Sequence, residues 1–157
     1  MAKELSQNYL CFVHSDQAGF IKGRFIGQNV RLLSDIMEYT EAKNLPGIMP
    51  FIDFRKAFDN IEWNFLYKCI VLYNFGPNIR KWICILYNNV ESGVMNAGFM
   101  TNYFNWVSRG VRQGCPLSPL LFVLAVEMLA LKIHQDQLCR RIELPNGQNA
   151  KITVCGW

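Results

Sequence analysis

The sequence predicts an α+β fold, helices packed on a small antiparallel sheet, and three features carry that expectation. Ile79, Trp82, Ile83, Leu86, Tyr87 and Val90 recur at helical spacing. Ile48–Phe54 is a short, nearly all-apolar run of strand length. Turn signals at Asn96-Ala97-Gly98 and at Asn146-Gly147 lie between segments of strand length, as hairpins require. Helical and strand patterns do not alternate strictly, which argues against a doubly wound parallel sheet.

The first ten residues, Met1–Leu10, read as helical without a start signal. Gly27–Lys43 predicts a helix with two adjacent apolar stripes, one of Val30, Leu33 and Met37, the other of Leu32, Ile36 and Tyr39. Asn44 to Gly47 ends it. Ile48–Phe54 follows as a strand covered on both faces, with Asp53 at its C-terminal end. Glu62–Asn74 predicts a helix closed by Gly76. Pro77 opens the next helix, which places Trp82 on its core face. Glu91–Ser108 forms a hairpin around Asn96-Ala97-Gly98. Cys115 to about His134 returns to helix. Arg141–Leu144 and Ala150–Cys155 pair around Asn146-Gly147.

With 157 residues, the chain has the length of one domain with a real core. Hydrophobic residues make up 51% and charged residues 18%, which excludes a disordered or fibrous composition. The net charge of +4 suits a polyanionic partner without requiring one, since the basic residues are spread along the chain. None of the six cysteines forms a CxxC pair, and no Cys/His spacing suits zinc, so free thiols in a reducing compartment are expected. The start has no apolar signal region. The apolar run Leu120–Leu131 is too short to span a bilayer and carries Glu127, so a buried helix is expected. Together these features place the chain inside the cell, nuclear or cytoplasmic, neither secreted nor in a membrane.

Two segments carry the chemistry. In FIDFRKAFD, Phe51–Asp59, a strand ending in Asp53 before a turn holds a carboxylate where it could bind a hard dication such as Mg²⁺. Spacing alone leaves Asp53 open between a helix N-cap or turn former and a metal ligand, and it favours Asp59 as the cap of the following helix. In RGVRQGCPLSPLLF, Arg109–Phe122, Gly110 and Gly114 permit close backbone approach and Arg109 and Arg112 add donors suited to phosphates. Gln113 can hydrogen-bond a nucleotide or base edge. An ordinary loop-to-helix junction with solvated arginines fits the same residues. His14 and His134 have no partner at metal-binding or catalytic spacing.

RGVRQGCPLSP closely resembles the B motif of LINE-type (non-LTR) retrotransposon reverse transcriptases. FIDFRKAFD resembles their A motif. DQAGFIKGRFIGQNV, Asp16–Val30, is similar to the segment preceding that motif. The three occur in family order and cover essentially the whole chain, 1–157. The resemblance implies a partial fingers–palm domain of a right-hand polymerase, an RNA-directed DNA polymerase that takes an RNA template, a DNA primer and dNTPs. It assigns Asp53 to the catalytic metals, with the backbone carbonyl of Phe54 assisting and Mg²⁺ as the expected ion. It sets Phe58 under the sugar and lays Gln113 and Gly114 against the incoming nucleotide and template. It implicates Gly19, Phe20 and Arg24 in nucleic-acid-facing fingers, while the chemistry of Arg24, Arg109 and Arg112 suits phosphate contacts.

The sequence departs from the family in two places. Asn96-Ala97-Gly98 stands where Asn-Gly is usual. The aromatic-Ala-Asp-Asp motif that supplies two further metal carboxylates is missing, and TVCGW is found after Ile152 instead. A chain with Asp53 but not those partners is expected to be inactive alone, since two-metal chemistry needs several converging carboxylates. Two other readings compete, a non-catalytic nucleic-acid-binding remnant and an inert pseudogene-like product. Group II intron and telomerase-like enzymes are the nearest alternatives within the enzyme class.

Overall fold

The computed structural model describes residues 12–104, 108–138, 142–143 and 149–150. The helix expected over Met1–Leu10 lies outside the described residues. Among those described, the helices are α1 (Ile26–Ala42), α2 (Trp63–Leu72), α3 (Pro77–Tyr87) and α4 (Ser118–Gln135). A single 3-10 turn spans Ala57–Asp59, and the strands β1 (Met95–Asn96), β2 (Phe99–Met100), β3 (Ile142–Glu143) and β4 (Asn149–Ala150) form two separate antiparallel pairs. The α+β expectation therefore holds at the level of helices with small antiparallel ladders.

Among the described residues the chain divides into two compact units, one within Arg55–Ala125 and one that joins residues 12–54 to those from Val126 onward. In the first, α2 packs on α3. Leu66, Cys69 and Ile70 of α2, Ile83 of α3 and Leu121–Leu124 of α4 are buried. Leu66 and Ile70 lie one helical turn apart, which is how a ten-residue helix presents one apolar face to a core. α2 stops at Tyr73 because Asn74 turns left-handed, φ +53°, while Phe75 N–H donates to the Ile70 carbonyl at 3.2 Å. This corrects the expectation that Gly76 closes the helix. Asparagine tolerates the left-handed region and turns the chain two residues earlier, and Gly76 becomes the N-cap of α3, with Pro77 at its first position.

The expected hairpin is present. Met95 pairs with Met100 and Asn96 with Phe99 across a loop of Ala97, φ +47°, and Gly98, φ +85°. Two consecutive left-handed residues make the turn type that matches the twist of paired strands. A further bridge between Ser92 and Phe104 extends the pairing. α4 begins at Ser118 rather than Cys115. Pro116 holds Cys115 out of the helical region, and two successive turns occupy Arg112–Ser118, closed by Cys115 N–H to Arg112 O and Ser118 N–H to Cys115 O.

In the second unit Ile36 of α1 is buried, whereas Val30 and Met37 are each 56% exposed, so the stripe of Leu32, Ile36 and Tyr39 faces inward. Trp82 in the first unit is likewise exposed, against the expectation of a core position. Helical spacing identifies two adjacent stripes or a broad apolar face without ranking them. Ile142 pairs with Ala150 and Glu143 with Asn149, an antiparallel pair in the region where a hairpin is expected, while the expected turn and the expected strand beyond Ala150 lie outside the described residues.

The strand expected over Ile48–Phe54 is not formed. The segment has no regular structure, and Ile48, Phe51 and Ile52 are largely exposed. An apolar pattern states a preference for burial, but a strand exists only through a hydrogen-bonded neighbour, and no pairing among the described residues reaches this segment. α4 is long and apolar enough to cross a membrane by length and composition alone. Its Leu121–Ala125, Glu127 and Ala130 are buried within the protein, which makes it a core helix.

Candidate functional site

The segment Phe51–Asp59 turns sharply at Lys56, whose φ of +50° sends the chain into the 3-10 turn Ala57–Asp59. Asp59 and Asn60 N–H groups donate to the Lys56 carbonyl, and the Asn60 side-chain amide donates to Arg55 O at 2.7 Å. Asp59 is thereby consumed in the turn. The residue preceding α2 is Glu62, which makes no side-chain cap, so the expectation that Asp59 caps this helix is corrected.

The loop that begins at Arg109 lies directly on this turn. Gly110 N–H donates to Ile61 O and Val111 N–H donates to Phe58 O, each at 2.7 Å. The indole N–H of Trp63 donates to Gly110 O at 2.8 Å, and Glu62 and Arg109 form an antiparallel bridge. Gly110 adopts φ +92°, and a Cβ placed there would come 3.0 Å from the Asp59 carbonyl oxygen and 3.1 Å from its Cα. Only glycine satisfies both the left-handed backbone and the close approach. Two segments fifty residues apart are thus joined by backbone hydrogen bonds through one residue without a side chain.

Around that contact the loop alternates anchors with exposed polar groups. Val111 and Leu117 are buried, whereas Arg109, Arg112, Gln113 and Gly114 are exposed. Gly114 is left-handed, φ +80°, with open space where a Cβ would stand. The ring of Phe58 is half-buried and stacks on Phe122, centroids 4.8 Å apart and planes 15° from parallel. An open groove of about 1100 Å³ runs beside Arg109 and includes Lys56, Asp59, Trp63, Tyr67 and Tyr87. Trp63 meets Tyr87 edge to face at 5.7 Å, and burial pushes the Tyr87 phenol above its ordinary range. Cationic donors beside aromatic faces suit a polyanion with planar bases. Trp63 and Tyr87 lie 24 residues apart on different helices, so no local pattern links them to this groove.

The expected site residues fall into both units. Phe58, Arg109, Arg112, Gln113 and Gly114 belong to the first, and Asp53, Phe54 and Arg24 to the second. Asp53 is exposed, and among the described residues it belongs to no group of three metal-ligating side chains. The described residues therefore do not assemble a two-ion site around it. Arg24 spends its guanidinium on its own chain, donating to the carbonyls of His14, Gln17 (2.6 Å) and Val13 (3.3 Å). Phe20 is partly exposed in a left-handed conformation, φ +58°, and Gly19 is buried.

His14 and His134, read from sequence as isolated, are brought together. Their rings stack with centroids 4.4 Å apart, and Asp16 Oδ2 lies 3.2 Å from His14 Nδ1 and 3.9 Å from His134 Nε2. Only the His14-x-Asp16 half of this group was visible in sequence. Glu127, buried beside it, accepts the backbone N–H of His14 at 3.0 Å, and burial raises its carboxyl above the usual range.

The family described as reverse transcriptase (RNA-dependent DNA polymerase) matches residues 1–150. The "Transposon TX1 uncharacterized 149 kDa protein" of Xenopus laevis is 34% identical over 73% of the chain, which covers 9% of that protein. A "Retrovirus-related Pol polyprotein from type-1 retrotransposable element R2" of Nasonia vitripennis is 26% identical over 76% of the chain and 12% of its own length. Its namesake of Popillia japonica is 23% identical over 69% of the chain and 18% of its own length. The chain thus spans less than a fifth of each of these relatives.

Proposed function

This chain belongs to the reverse transcriptase (RNA-dependent DNA polymerase) family, as a segment of the non-LTR retrotransposon kind, and on that premise we propose that it forms the part of the fingers and palm that grips template, primer and incoming dNTP. The observation that carries the proposal is the Gly110 contact, which fixes the turn bearing Phe58 against the loop bearing Arg109, Arg112, Gln113 and Gly114. In this reading Gln113 and Gly114 meet the nucleotide and template, Phe58 underlies the sugar, and the two arginines hold phosphates. Arg24 supports a fingers loop through its clasp on three carbonyls.

The family works with divalent metal ions, and Asp53 with the Phe54 carbonyl is the proposed share of this chain in holding Mg²⁺. No two aspartates are adjacent anywhere in the 157 residues. A single carboxylate cannot neutralise two dications held roughly 4 Å apart, so the 157-residue chain alone is expected not to extend a primer.

Primer extension on an RNA template with a DNA primer, dNTPs and Mg²⁺ tests the catalytic half of this proposal. The expected result is no extension by the soluble chain, with Asp53→Asn indistinguishable from it. Extension that disappears in Asp53→Asn would mean that carboxylates from this chain complete the site, and would overturn the claim of silence.

A further inference from the structure

We propose that His14, Asp16 and His134 form a binding site for a transition-metal dication of the Zn²⁺ type, one that clips the loop after Phe12 to the C-terminal turn of α4. The site is separate from Asp53 and from the Arg109 loop, and it does not rest on the polymerase reading. One ligand atom from each residue lies within 4.8 Å of the others. Tetrahedral zinc with bonds of about 2.0–2.1 Å sets neighbouring donors about 3.3 Å apart, close to the 3.2 and 3.9 Å from Asp16 Oδ2, while the two imidazole donors, within 4.8 Å of each other on stacked rings, converge on the ion by turning those rings. Two imidazole nitrogens and one carboxylate oxygen suit Zn²⁺, Co²⁺ or Ni²⁺ and discriminate against Mg²⁺ and Ca²⁺, which take oxygen ligands. A water completes the fourth position.

The ligands are held in place by surrounding groups. The Glu127 carboxylate fixes the His14 backbone, and the Arg24 guanidinium holds the carbonyls of Val13, His14 and Gln17. The Asn29 amide donates to Asp16 O at 2.7 Å. The Ser15 hydroxyl occupies Asp16 Oδ1 at 3.2 Å, leaving Oδ2 toward the two rings. Backbone N–H of Asp16 faces His14 Nδ1 at 3.3 Å, a contact that a bound metal replaces. Such outer hydrogen bonds orient ligands and commonly change metal affinity about 10- to 100-fold. The His134 side chain is 15% exposed and that of His14 41%, so an ion reaches the site from the His14 side.

The test uses the full 157-residue chain, stripped by a chelator and kept reduced, titrated with Zn²⁺ against a chromophoric competitor and then loaded with Co²⁺. We expect one equivalent bound, a rise in melting temperature, and a Co²⁺ spectrum without thiolate charge-transfer absorption. Asp16→Asn and His134→Gln should each weaken binding at least 10-fold. No stoichiometric uptake, equal uptake by both variants, or a thiolate signature would overturn the proposal. Should a variant misfold, protection of His14 and His134 from carbethoxylation by Zn²⁺ in the unmodified chain gives the same discrimination, and absence of protection overturns it.

Discussion

Gly110 and Gly114 are both left-handed and both belong to the exposed Arg109 loop, yet their surroundings differ. A methyl group at Gly110 would press on the backbone of Asp59, and at Gly114 it would meet nothing. Gly110→Ala therefore combines backbone strain with a clash that no side chain can relieve, and should lower stability by about 2–4 kcal/mol. Gly114→Ala carries the strain alone, about 1 kcal/mol. Chemical denaturation of the two variants checks the order, and equal effects would contradict the close approach. Glu127 supplies a second prediction. Its folded pKa is raised by burial, which outweighs the opposing His14 hydrogen bond and the His14 and Arg24 charges. A raised carboxyl pKa means that the folded state holds the proton more tightly. The associated stability is fully present below the unfolded value, about 4.3, and is lost as pH rises through the folded value. The melting temperature of Glu127→Gln should therefore change less than that of the unmodified chain over this acidic window. An unchanged pH profile would show that the carboxyl is not desolvated.

At the scale of elements, helices were legible and the strand was not. Ile79 through Tyr87 announced α3, Pro77 fixed its start and the Asn96-Ala97-Gly98 signal fixed the β1–β2 turn, because each depends on residues close in sequence. Ile48–Phe54 looked like a strand, but a strand depends on a partner elsewhere in the chain, and local pattern carries no information about whether one pairs. The same distinction separates two apolar substitutions of similar chemistry. Leu66 of α2 is 1% exposed and Ile52 is 66% exposed. Leu66→Ala should destabilise the chain by about 2–5 kcal/mol, while Ile52→Ala should stay within about 0.5 kcal/mol. Thermal or denaturant melts measure both, and a large loss from Ile52→Ala would mean that its segment is packed in solution.

The whole molecule consists of two units, and the sequence motifs divide between them: Phe58 and the Arg109 loop in one, Asp53, Phe54 and Arg24 in the other. Motif order along the chain identified the family, while the joining of Phe58 to Val111 and of His14 to His134 depended on folding over long sequence separations. Composition contributed a net charge of +4, enough to favour nucleic acid but not to say where it lies. We propose the exposed Arg109–Gly114 loop and the groove beside Arg109 as that place. The most direct test of that claim is fluorescence anisotropy of a labelled RNA-template/DNA-primer duplex, titrated with the 157-residue chain, Arg109→Ala and Arg112→Ala over a range of salt. The account predicts binding that weakens steeply as salt rises, with each substitution lowering affinity irrespective of base sequence and reducing the salt slope by about 1. Unchanged affinity and slope in both variants would contradict it.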